Sequence, residues 1–132
     1  IRVMVQRKSP RHPWMTTGWL AKLAGPGFVV TNIARSRGKV LPLRTAIRLS
    51  GIPASPERFM EIRRLSLAVA NCLGKAYPTL REIGLDLGVD TAGKLWIIEA
   101  NFRPAHSLFL KLPSRNQYLR IKAMRRPRVE TT

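Results

Sequence analysis

Residues 82–101 read Glu82-Ile-Gly-Leu-Asp-Leu-Gly-Val-Asp-Thr-Ala-Gly-Lys-Leu-Trp-Ile-Ile-Glu-Ala-Asn101. Two runs in which apolar residues alternate with small or polar ones flank Asp90-Thr-Ala-Gly-Lys94, where the glycine supplies the positive φ that a tight connection often needs. The pattern predicts a β-hairpin. With the turn over Thr91–Lys94, Asp86 falls opposite Glu99 and Gly84 opposite Asn101. Because side chains alternate faces along a strand, Asp86, Glu99 and Asn101 share one face. Leu85, Leu87, Val89, Trp96, Ile98 and Ala100 share the other, which reads as a core face.

The hairpin also holds Glu82, Asp86, Asp90 and Glu99, four of the seven acids in a chain of formal net charge +17. Carboxylates placed directly opposite each other repel, at a cost of up to ~1 kcal/mol. Asp86 and Glu99 beside the amide oxygen of Asn101 form an oxygen-only donor set, which suits a hard cation such as Mg2+ or Mn2+. Gly84 and Gly88 leave the same face uncrowded for a ligand that approaches the backbone. The alternative is that these acids pair with some of the many surface arginines. Asp90, at the turn, reads as turn chemistry, and Glu82 stays open between the two.

Outward from the hairpin, Ile1, Val3 and Val5 alternate with Arg2, Met4 and Gln6 as in a half-buried strand already under way at the first residue, which predicts a preceding portion. Pro10 and Pro13 interrupt the next stretch. Trp14–Leu23 and Phe28–Ile33 read as further strands of an antiparallel meander, separated by Gly25-Pro-Gly27. Ala34–Val40 is a basic loop, and Leu43–Leu49 a short helix ended by Gly51. Ser55-Pro56-Glu57 is a helix start, with a Ser cap, proline at the first helical position and an acid in the first turn. Phe59, Ile62, Leu65, Val69, Cys72 and Leu73 then recur at spacings of three and four, as a core stripe does. These elements predict an α+β domain over residues 1–112, an antiparallel sheet with packed helices. Residues 113–132 form a basic tail or helix, with Tyr118, Leu119, Ile121 and Met124 at loosely helical spacing.

Of 132 residues, 45% are hydrophobic, enough for one core of ordinary domain size. Lys and Arg number 24 against 7 acids, so a nucleic acid, a membrane surface or a phosphorylated ligand is the expected kind of partner. No apolar run approaches the ~18 residues of a membrane-spanning helix. The single Cys72 excludes an internal disulfide and a Cys-rich zinc site, which points to a reducing, cytoplasmic setting. It sits on the helix stripe and reads as a small buried hydrophobe. His12 and His106 suggest no catalytic dyad.

Gly84-Leu-Asp-Leu-Gly88, then Gly93-Lys-Leu-Trp-Ile-Ile-Glu-Ala-Asn101 with Arg103-Pro104, resembles the C-terminal lobe of ATP-grasp proteins. It is most similar to the YheC/YheD family of endospore coat-associated proteins. The resemblance implies a lobe that binds ATP and Mg2+ (or Mn2+), with Asp86, Glu99 and Asn101 as metal ligands. Arg2-Val-Met-Val-Gln6 is similar to the family strand whose Arg approaches the phosphates, which gives Arg2 a catalytic role, with Arg35 as a second candidate for it. Thr31-Asn32-Ile-Ala-Arg35 is similar to the family's Asn-containing loop, making Asn32 a nucleotide contact, with Arg103 as a further cation. For a complete protein the resemblance implies activation of a carboxylate through an acyl phosphate, then attack by an amine or similar nucleophile. The carboxylate and amine are unidentified.

The chain also departs from that pattern. Arg37-Gly38 stands where a Gly-Gly pair is usual, Phe102-Arg-Pro-Ala-His106 replaces a Lys-Pro-Gly-like sequence, and the tail is more basic than the family suggests. The preceding lobe with its phosphate-binding lysines is absent, so the chain alone is expected to hold metal weakly and ATP hardly at all. The residues leave two other readings open: a basic nucleic-acid-binding module built on Lys111–Arg128, and a non-catalytic protein associated with the spore coat.

Overall fold

The computed structural model describes residues 1–23, 39–90 and 92–126. They form strands β1 (Arg2–Gln6), β2 (Met15–Leu23), β3 (Lys39–Leu41), β4 (Glu82–Val89) and β5 (Leu95–Asn101). The helices are α1 (Leu43–Leu49), α2 (Pro56–Ala76) and α3 (Asn116–Arg125), with a 3-10 turn at Ser107–Lys111. One antiparallel sheet runs in the order β3-β2-β1-β4-β5. The α+β class and the antiparallel sheet with packed helices are therefore as the sequence predicts. Phe28–Ile33 and the loop to Gly38 lie outside the described residues.

β1 is the central strand and is buried along its whole length. Its alternation therefore serves two cores rather than one core and solvent. Val3 and Val5 join Ile83, Leu85 and Leu87 of β4 beneath α1 and α2. On the opposite face Met4 joins Leu20, Phe109, Leu112 and Ile121, so the basic C-terminal segment supplies a helix that covers part of the second face. A Cβ on Gly18 would stand 2.9 Å from both Ile121 Cδ1 and Phe109 Cε1, so the missing side chain of Gly18 lets α3 lie close to β2. Gln117 Oε1 accepts from Trp19 N at 2.7 Å, and Gln6 Nε2 donates to Ile121 O at 3.1 Å. Ile121→Ala is expected to cost ~2–5 kcal/mol by urea denaturation, since the residue is fully buried between elements that cannot readily collapse onto the gap.

Helix α2 begins as its sequence requires. Ser55 is extended, its hydroxyl accepts from Arg58 N at 3.4 Å, and Pro56 follows at the first helical position. Ile62 of the predicted stripe is buried, but the other buried residues of the helix are Ser66, Ala70 and Gly74, while Phe59, Leu65, Val69 and Leu73 are half-buried beside them. Small side chains occupy the buried line of the helix: a Cβ on Gly74 would stand 2.8 Å from Nε1 of Trp14, the residue just before β2. The stripe is rotated accordingly, and Cys72 is exposed, not buried.

The hairpin register is as predicted from Gly84↔Asn101 to Asp86↔Glu99, and then shifts by one through a bulge, so that Leu87 meets Ile97 and Gly88 meets Trp96. Trp96 thereby moves to the face of Asp86, and Ile98 turns beside Gly88, its Cδ1 3.2 Å from where a Cβ there would be. Burial of the predicted core face of β5 is not found: Trp96 and Ile98 are 53% and 67% exposed, and Ala100 is exposed as well. β5 is the edge strand, and α2 packs over β1 and β2.

Candidate functional site

Strand pairing sets Leu20, Arg2, Asp86 and Glu99 in one row across β2, β1, β4 and β5, with Gly18, Met4, Gly84 and Asn101 in the next. α3 and the 3-10 turn cover the second row at Gly18 and Met4. In the first row the polar groups gather. Arg2 Nε donates to Asp86 Oδ1 at 2.8 Å and Arg2 Nη2 to Asp86 Oδ2 at 3.2 Å. Lys22 Nζ reaches Asp86 Oδ1 at 3.2 Å. All three side chains are at most 15% exposed, so this is a largely desolvated two-cation, one-carboxylate cluster. Burial opposes ionisation of Asp86, but the Arg2 hydrogen bonds and the charges of Arg2 and Lys22 together outweigh it and hold the carboxyl below its ordinary range.

Gly84 does not leave the open space expected of it. A Cβ there would stand 2.6 Å from Pro104 Cβ and 3.3 Å from Arg2 Nη1, so the missing side chain accommodates this chain's own guanidinium and proline. The space at Gly88 is bounded by Ile98. Room for a ligand lies instead at the end of the sheet, in a pocket of about 280 Å3 flanked by Lys22, Asp86 and Gly88, with Leu43, Ile47 and Ile52 among its apolar walls.

The four clustered acids separate by environment. Glu82 Oε2 accepts from Arg125 Nε at 2.7 Å and Gln6 Nε2 at 3.3 Å, tying α3 to the sheet. Arg125 also donates to Pro104 O at 2.8 Å and lies 2.6 Å from His106 Nδ1, and the His106 ring stacks on Tyr118. His106 thus belongs to the packing of the C-terminal segment. Asp90 organises the turn: its Oδ1 accepts from Ala92 N and Lys94 N, each at 2.9 Å, and its Oδ2 from Trp96 Nε1 at 3.0 Å, next to Gly93 at φ +84°. Asp86 is paired with Arg2 and Lys22. Glu99 alone of the four is exposed with no hydrogen bond or ion pair among the described residues, although it stands opposite Asp86 in a strongly cationic chain.

Asn101 Oδ1 accepts from Arg103 N at 2.9 Å, which folds the chain back just after the strand, and the Arg103 side chain is exposed. Asn32 and Arg35 lie outside the described residues. Among the described residues no three His, Cys, Asp or Glu side chains converge as a metal group, and the trio of Asp86, Glu99 and Asn101 counts an asparagine. Its chemistry still fits Mg2+: all donors are oxygens, they come from paired strands on one face, and Mg2+ takes few protein ligands when phosphate oxygens and water supply the rest. Lys22 is the residue that sequence reasoning missed. Alternation from Leu20 puts it on the Arg2 face, but only the β1–β2 pairing brings it to Asp86.

The family model for YheC/D-like ATP-grasp proteins matches residues 1–126, and the chain belongs to that family. It is 31% identical over 106 residues to the endospore coat-associated protein YheD of Bacillus subtilis (strain 168), a match covering 77% of this chain. The chain spans 22% of the length of that relative. No solved structure matches it. Among the described residues no helix is long and apolar enough to cross a membrane.

Proposed function

We propose that this chain is the part of an ATP-grasp, carboxylate–amine ligase-like protein that holds the magnesium ions and phosphates of ATP, and that it is inactive by itself. Family membership supports the ATP-binding class, and the span of 22% of the YheD relative supports the dependence on a further lobe. The observation that carries the reading is Glu99: an exposed carboxylate with no partner among the described residues stands opposite Asp86, and a cation held between the two would give that placement a use.

Asp86, Glu99 and Asn101 would hold Mg2+ (or Mn2+). A bound ion there would supply neutralisation of phosphate charge; transfer of the terminal phosphoryl group of ATP to a substrate carboxylate would release ADP and give an acyl phosphate, from which amine attack would expel inorganic phosphate. Arg2 keeps Asp86 ionised and adds positive charge beside the reacting group, a role Arg35 shares. Asn32 and Arg103 contact the nucleotide. The carboxylate and amine substrates are not identified by these residues. The setting is cytoplasmic, with the spore-coat association that the relative's name gives to that protein.

Titration calorimetry of the full-length protein containing this chain tests the reading. ATP is expected to bind with Mg2+ present and not after chelation by EDTA. Affinity for nucleic acid that falls steeply with salt, without Mg2+-dependent ATP binding, overturns it in favour of a nucleic-acid module.

A further inference from the structure

Lys22 has no place in the metal reading, yet its ammonium is buried against Asp86. A carboxylate offers about four lone-pair positions. Three are taken here: Arg2 occupies one on each oxygen, and Lys22 occupies a second on Oδ1. A cation arriving at Asp86 therefore finds one open position on Oδ2 and a like charge on Oδ1. The two resident cations differ in how they can leave. Arg2 holds both oxygens with a planar fork, is fixed in the central strand, and has its guanidinium packed against the backbone at Gly84. Lys22 makes a single contact, at 3.2 Å, through a point charge on a flexible four-carbon stem, and it lines the pocket of about 280 Å3 into which that stem can move.

We propose that Lys22 is an exchangeable counter-ion of Asp86: it neutralises the carboxylate while no divalent cation is bound and leaves it when one binds, its charge then becoming available to an anionic ligand in the adjoining pocket. The proposal rests on the assignment of Asp86 as a metal ligand. It makes metal-ion affinity and anion affinity respond in opposite directions to the same side chain, which a purely structural lysine does not do. Without Lys22, the metal has one fewer competitor, while a phosphate-bearing ligand loses a cation.

The test is Mn2+ binding to the full-length protein, followed by electron paramagnetic resonance, for the wild type, Lys22→Met and Lys22→Arg, with ATP affinity in the presence of Mn2+ measured in parallel. Lys22→Met is expected to bind Mn2+ about tenfold more tightly without nucleotide and ATP several-fold more weakly. In Lys22→Arg a second fork grips Asp86 more firmly, so Mn2+ is expected to bind more weakly than to the wild type. The ordering Met, Lys, Arg in Mn2+ affinity is the signature, and the Arg variant preserves the charge should the Met variant fold poorly. Equal Mn2+ affinities across the three, with binding present, overturn the exchange and leave the metal site standing. Absence of Mn2+ binding in all three overturns the metal site and the exchange together.

Discussion

Glu99→Ala is expected to abolish Mg2+-dependent ATP binding by the full-length protein, weakening it by more than ~100-fold, because loss of even an outer partner of a metal site costs ~10–100-fold. The same substitution is expected to leave folding stability nearly unchanged. Glu99 is exposed and has no hydrogen bond or ion pair among the described residues, and the carboxylate it faces is already paired with Arg2 and Lys22, so the fold loses no direct contact. Calorimetry for binding and urea denaturation for stability, made on the same samples, check both halves. Intact ATP binding in a stable Glu99→Ala protein removes the carboxylate pair from the nucleotide site. Lost binding together with lost stability assigns Glu99 a structural role that its surroundings do not show.

Asp86→Ala is expected to behave in the opposite way, destabilising the fold by ~3–5 kcal/mol as well as removing metal binding. Its removal leaves Arg2 and Lys22 largely desolvated without their acid, which is the costly way to break a buried ion pair. The pH dependence follows from the direction of the Asp86 shift. Its folded carboxyl titrates below the ordinary value of 3.8, so the ionised form is the one the fold favours. The stabilisation is complete above that value and fades as pH falls through the lower folded one. Urea midpoints followed from pH 7 down to pH 3 are expected to drop more steeply at the acid end for the wild type than for Asp86→Ala. Parallel curves would mean that Asp86 is not the group whose ionisation the cluster depends on.

The hairpin separates local from non-local information. Alternation and the glycine-centred turn predict Asp86 opposite Glu99 and Gly84 opposite Asn101, and those pairs form, but the pairs nearer the turn stand one residue out of the predicted register and a bulge between Asp86 and Leu87 makes up the difference. The bulge is not legible in the alternation. It moves Trp96 onto the carboxylate face and leaves Ile98 beside Gly88 at an exposed edge. In helix α2 the cap and the first turn are legible, whereas the face it buries is set by closeness of approach. The small residues Ser66, Ala70 and Gly74, spaced by four, carry that information, but a search for large apolar side chains passes over them. The exposure of Cys72 escapes such a search for the same reason.

At the site, residue chemistry and order along the chain suffice to single out Asp86, Glu99 and Asn101 as oxygen donors, to give the α+β class, and to raise the resemblance that family membership then makes definite. Which acids are already satisfied is a property of the folded chain. Pairing of β1 with both β2 and β4 brings Arg2 and Lys22, distant in the chain, onto Asp86, and packing of α3 gives Arg125 to Glu82. Net charge predicts that such pairs form somewhere, since cations outnumber acids and buried carboxylates must be neutralised. Only the order of strands assigns the partners, because the Coulomb term depends on distances that the sheet sets and the linear sequence does not contain.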